Sequence, residues 1–149
     1  MKRATETSSV VNAQPPAERQ QLERWTLDTF GELHALRGSL HQVIVERISD
    51  GGARRVVSER LAIVATELAT NAMVHAGPPT TVRLFRTRTS FVVEASDNDP
   101  GTAPRIADNP ALGVGGLGLR LVHDLSVGMG YHLDGGTKWV WAEVGTRSS

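Results

Sequence analysis

The chain has 149 residues, a formal net charge of zero from 16 Lys+Arg against 16 Asp+Glu, and no cysteine. That length fits one domain with a single core, and the charge balance removes the basic footprint of a general nucleic-acid binder or of a protein held on anionic membrane. No disulfide framework, thiolate metal site or Cys nucleophile can exist, and 40% hydrophobic against 21% charged residues excludes wholesale disorder.

In chain order, residues 1–20 are rich in Thr, Ser, Ala, Gln and Pro, break at Pro15-Pro16, and read as a mobile tail ahead of a domain over 21–146. Met1-Lys2-Arg3 is followed by polar residues, so there is no apolar signal-peptide segment. No run approaches the roughly 18 apolar residues of a spanning helix. A cytoplasmic, soluble domain is the expectation.

Trp25, Leu27 and Thr29 alternate with polar neighbours as in a short edge strand. Leu33, Leu36, Leu40, Ile44 and Ile48 recur at helical spacing, and Gly51-Gly52 is expected to break that helix. A second helix is predicted from Val56 to Ala76, with Leu61, Val64, Ala65, Leu68 and Ala72 on its apolar face and Gly77-Pro78-Pro79 as its stop. Thr81 to Thr87 and Phe91 to Ala95 alternate as a β-hairpin. Asp97 to Gly118 is a long Gly- and Pro-rich connection, of the kind that carries function or is disordered. A short helix over Leu117 to Leu125 and a hairpin turning at Asp134-Gly135-Gly136 complete the elements. This order predicts an α+β two-layer sandwich.

Four stretches could carry chemistry. On the second helix, Glu67, Asn71 and His75 stand four apart, each about 40° round from the last, and form a polar ridge beside the apolar face. A carboxylate one turn from a carboxamide offers a general base and a neutral oxygen for a hard cation; the bland alternative is a solvated helix flank. Asp97-Asn98-Asp99-Pro100-Gly101 follows a strand directly, where a carboxylate can accept from an exocyclic amine or simply start a turn. Gly113-Val114-Gly115-Gly116-Leu117-Gly118-Leu119 opens a helix, so its amides could face phosphate oxygens. It lacks the Gly-Lys-Ser/Thr of a Walker loop and the βαβ setting of a dinucleotide fingerprint. Gly135-Gly136-Thr137 alone is a hairpin turn.

Their order resembles the box order of the GHKL ATPase superfamily, which includes gyrase, Hsp90, histidine kinases and MutL. Within it, Glu67-Leu-Ala-Thr-Asn-Ala-Met-Val-His-Ala76, Gly116-Leu-Gly-Leu-Arg-Leu-Val122 and Gly136-Thr-Lys-Trp-Val-Trp-Ala-Glu-Val144 are most similar to the small anti-sigma-factor serine/threonine kinases of the RsbW type, in their stand-alone actinobacterial form. The resemblance implies a two-layer α/β sandwich of the Bergerat ATP-binding kind, with a mixed, mostly antiparallel sheet. It implies that ATP and Mg2+ bind between helices and a lid, with Asn71 holding the Mg2+ and Glu67 as catalytic base toward a Ser or Thr hydroxyl. Asp97 would accept from the adenine amino group, and Gly101 would let the chain pass close to the base. Gly116, Leu117, Gly118 and Leu119 would supply the phosphate-facing segment, Thr137 would help on the adenine side, and Arg120 is a phosphate contact by position. The implied partners are a sigma factor and a STAS-domain antagonist that the protein phosphorylates, with a homodimer common in the family.

Asp99 stands where many members carry the first glycine of Asp-x-Gly-x-Gly, and on the resemblance it would add a second carboxylate beside the nucleotide. The Glu67–Asn71 pair favours catalysis. Asp99 favours the alternative, a non-catalytic GHKL-fold binding module that sequesters a regulatory protein. Other residues have plainer expectations. His34 reads as a surface residue, Trp25, Trp139 and Trp141 as sheet packing, Arg83, Arg86, Arg88 and Arg105 as solvated charges, and His75 as a hydrogen-bonded helix end.

Overall fold

A computed structural model describes residues 7–107 and 117–146 of the chain. Two strands lie nearest its N-terminus, β1 (Thr7–Ser9) and β2 (Gln20–Leu27). A 3-10 turn, Phe30–Glu32, follows Thr29, whose N–H donates to Glu32 Oε1 at 3.1 Å. The first helix, α1, spans Leu33–Arg47. Asp50 then decides where the central helix begins. Its carboxylate accepts from the N–H groups of Gly52 (2.9 Å) and Ala53 (3.2 Å), satisfying donors that a helix start leaves orphaned. Helix α2 therefore runs Gly51–Ala76, and the glycine pair expected as a break is its first turn.

Beyond α2 come β3 (Thr80–Arg86), β4 (Ser90–Asp97), β5 (Arg105–Ala107), α3 (Leu117–Leu125), β6 (Gly128–Asp134) and β7 (Thr137–Gly145). The fold is α+β, a two-layer sandwich. Five strands form one sheet in the order β2-β3-β4-β7-β6, with every pairing antiparallel, while β1 and β5 pair in a separate ribbon. The β6–β7 turn is two residues long, and Gly135 and Gly136 have φ of +59° and +83°, which L side chains rarely adopt.

Strand alternation divides the sheet into two faces. Phe91, Val93 and Ala95 of β4, with Val140, Ala142 and Val144 of β7, face the helices. They pack under Leu36, Leu40 and Ile44 of α1, Leu61, Val64 and Leu68 of α2, and Leu119 and Val122 of α3. Phe85, Val92 and Trp141 cluster on the opposite, outer face. There Glu94, with no exposed surface, accepts from Arg83 at Oε1 and from His132 Nε2 at Oε2 (2.8 Å). A buried carboxylate needs such partners, because desolvation alone would make its charge costly.

Two expectations about the arginines of β3 are corrected. Arg83 is not a solvated charge: it pairs with Glu94 and lies 3.6 Å over the Trp139 ring. Nor is Arg86, which lies 4.5 Å over Phe91; burial first, then the like charge of Arg47, lowers its pKa from the ordinary value. Arg88 is exposed as expected, and so is His34, whereas Trp139 and Trp141 are buried in the sheet. The side chain of Arg105 lies outside the described set.

The mobile tail is corrected as well, from Thr7 onward. The N-H of Val10 donates to Pro104 O (2.8 Å), that of Tyr131 to Val11 O (2.9 Å), and that of Ala13 to Tyr131 O (3.0 Å). Trp141 Nε1 donates to Ala13 O (2.8 Å), and the Arg19 guanidinium lies 4.7 Å from the Phe85 ring centroid. Residues 7–19 thus strap across the outer face, reach the β6 edge and end in the β1–β5 ribbon. No helix among the described residues is long and apolar enough to cross a membrane.

Candidate functional site

Two clusters lie at the ends of the elements singled out in the sequence. The first is on α2. Glu67 and Asn71, one turn apart, are both half-buried, and neither side chain is hydrogen-bonded to a described residue. The first turn of α3 lies directly on Glu67: a Cβ built on Gly118 would stand 2.5 Å from Glu67 Oε1 and 3.3 Å from its Cδ. A side chain there would have to displace the Glu67 carboxylate, so glycine keeps the two helices in this close approach. The contact also sets the carboxylate beside helix N-terminal amides, which carry partial positive charge.

The second cluster is at the end of β4. Asp97 is only 4% exposed. Its Oδ1 accepts the Asp99 N–H at 2.7 Å, and its Oδ2 lies 3.2 Å from Lys138 Nζ. Lys138, 2% exposed, also donates to Thr102 O across the loop. Asp97 and Lys138 are direct cross-strand partners, and both share the helix-facing side with Ala95 and Val140. Asn98 joins the two clusters, its Nδ2 donating to Gly77 O (2.9 Å) and Pro79 O (3.1 Å) just beyond α2.

The other expected residues divide. Gly101 is exposed, and a Cβ there would meet Asp99 Oδ1 at an ordinary 3.8 Å. Asp99 is exposed too, while its backbone serves Asp97. Leu117 is the first residue of α3, and Gly116 lies outside the described residues. The Leu119 side chain, 1% exposed, belongs to the core, so only its backbone is left for a ligand. Thr137 pairs with Asp134 at the hairpin mouth and, by alternation, falls on the side of Trp139; Lys138 holds the position opposite Asp97. Arg120 Nε pairs with Asp124 Oδ2 at 3.4 Å within α3. His75 is exposed, and no described residue bonds its ring, so the hydrogen bond expected at this helix end is not made among the described residues.

Sequence reasoning missed Lys138, Asn98 and Thr102. A lysine directly after the Gly-Gly-Thr turn, in register with the acid that ends β4, was the available signal for the first. Nothing local marked the other two.

The family model for the histidine kinase-like ATPase domain matches residues 31–144. This span takes in α1, α2, the acidic loop, α3 and the last hairpin. The chain belongs to the histidine kinase-like ATPase family. The match carries ATP binding with it, and comparison with curated proteins finds no match that refines it.

The residues of this histidine kinase-like ATPase domain suit the nucleotide and its cation. Asn71 offers an amide oxygen bonded to no described residue, and the absence of a side chain at Gly118 lets the first turn of α3 lie against Glu67. Among the described residues, no three His, Cys, Asp or Glu converge as a metal cage. Mg2+ takes one or two protein oxygens and completes its shell with phosphate and water, so a single amide oxygen such as that of Asn71 fits it.

Proposed function

We propose that this domain is an ATP-dependent serine/threonine protein kinase that acts as an anti-sigma regulatory factor. The observation carrying the proposal is the pairing of two uncommitted side chains, Glu67 and Asn71, one turn apart beneath the Gly118 end of α3. Asn71 would hold Mg2+, Asp97 the base, and the amides at the start of α3 the phosphates. Bound Mg-ATP supplies the phosphoryl group and neutralises its charge. Glu67 would take the proton from a partner's Ser or Thr hydroxyl as that oxygen attacks the γ-phosphorus and the bond to the bridging oxygen breaks, releasing ADP, a transfer that demands mainly positioning. The protein partners on this reading are a sigma factor and a STAS-domain antagonist in the cytoplasm, with the kinase as a homodimer.

A second reading is favoured by the ion pair of Asp97 with Lys138: a carboxylate already partnered offers less to a base. The domain would then sequester a regulatory protein without phosphorylating it. Incubation with Mg-ATP labelled at the γ-phosphate and a STAS-domain partner separates the two, with Glu67→Gln as control. Label on the partner with wild type alone supports the kinase. Nucleotide binding with no transfer supports the binding module.

A further inference from the structure

We propose that Lys138 sets the base selectivity of the cleft, so that it accepts guanine as well as adenine nucleoside triphosphates. The inference rests on the reading that Asp97 receives the base. Lys138 Nζ is ion-paired with Asp97 Oδ2 at 3.2 Å, and the pair lies on the helix-facing side of adjacent strands. A base edge that reaches Asp97 therefore reaches the ammonium too.

The donor and acceptor count shows what this floor can bind. An ammonium has three N–H donors, and each carboxylate oxygen has two lone pairs. The Thr102 carbonyl takes one of the donors and the ammonium is ion-paired with Asp97 Oδ2 at 3.2 Å, which among the described residues leaves at least one N–H for a ligand. Asp97 Oδ1 accepts the Asp99 N–H and Oδ2 faces the ammonium, which leaves at least one lone pair on each oxygen.

A carboxylate alone is an acceptor only. It suits the adenine amino group and opposes guanine, whose O6 would bring its lone pairs against it. With Lys138 alongside, an acceptor and a donor stand next to each other. Guanine presents the matching pair at N1–H and O6, and adenine at N6–H and N1. The lysine thus removes the electrostatic penalty on guanine while leaving adenine its bond to Asp97.

Calorimetric titration of the full chain with ATP, GTP and ITP in Mg2+ tests this. ITP retains O6 and N1–H but lacks the 2-amino group, so it isolates the contact to O6. The wild type should bind all three within about tenfold of one another. Lys138→Met should weaken GTP and ITP at least about tenfold more than ATP, and Lys138→Arg should restore them, with thermal unfolding followed for each variant. A wild-type preference for ATP above about a hundredfold overturns the proposal while leaving the nucleotide site standing, whether or not the methionine variant folds. Equal loss of all three nucleotides in a folded Lys138→Met also overturns it and leaves Lys138 a positioning residue. Failure of the wild type to bind any nucleotide overturns the site reading itself.

Discussion

A methyl group on Gly118 would meet the Glu67 carboxylate at 2.5 Å, so the two helices of the site touch through the very residue assigned as base. Gly118→Ala separates stability from function on this account. Alanine in a helix gains up to about 1 kcal/mol over glycine, and the clashing atom is the end of a side chain that can turn away. The variant should therefore unfold at the same temperature as wild type or slightly higher, yet transfer phosphate about ten- to a hundredfold more slowly, since its base is displaced. In a Glu67→Gln background the same change should cost little more, and a full additional loss in that double-mutant cycle would rule out action through Glu67.

Asn71→Ala should abolish Mg-dependent ATP binding in calorimetry. The side chain is half-buried and bonded to no described residue, so thermal stability should change by less than about 1 kcal/mol. Unchanged nucleotide affinity would remove the metal role from Asn71.

Arg83→Met should be far more damaging. It strips Glu94, which has no exposed surface, of one of its two partners, and breaking such a pair costs on the order of 3 kcal/mol. Adding Glu94→Leu should recover part of the loss, because no charge is then left buried. Urea midpoints of the single and double variants check the sign, and additive losses would refute the pairing.

Gly130→Ala addresses the strap. A Cβ there would stand 3.0 Å from Trp141 Nε1, from Trp141 Cζ2 and from the Val11 carbonyl, a backbone atom with little room to yield. Overpacking of this sort costs about 1–3 kcal/mol, and the segment over 7–19 should lift before the sheet does. Trypsin should then cut after Arg19 faster than in wild type, with the core otherwise intact.

Much of the fold was legible because periodicity survives where one face is buried. Leu117–Leu125 was bounded correctly, α1 and the β3–β4 and β6–β7 hairpins nearly so, since apolar spacing and glycine turns mark them directly. The start of α2 was hidden because a capping aspartate outweighed two poor helix formers. The strap and the β1–β5 ribbon left no pattern to read: they are held chiefly by main-chain hydrogen bonds, which any sequence can make. Arg83 looked solvated because a charge on a strand gives no sign of the acid and the ring waiting on neighbouring strands. At the site, Glu67, Asn71 and Asp97 were found as residue types. The exchange of Thr137 for Lys138 is a one-residue question of register, and in a strand one residue is the difference between faces.

Asn98 carries the last consequence. Its amide holds the carbonyls of Gly77 and Pro79, just past the end of α2, while its neighbour Asp97 holds Lys138. The helix bearing Glu67 and Asn71 is thereby clamped to the strand bearing Asp97, and neither can slide without dragging the other. The spacing between the two ends is thus set by the protein itself, as fixed jaws on a common frame would be.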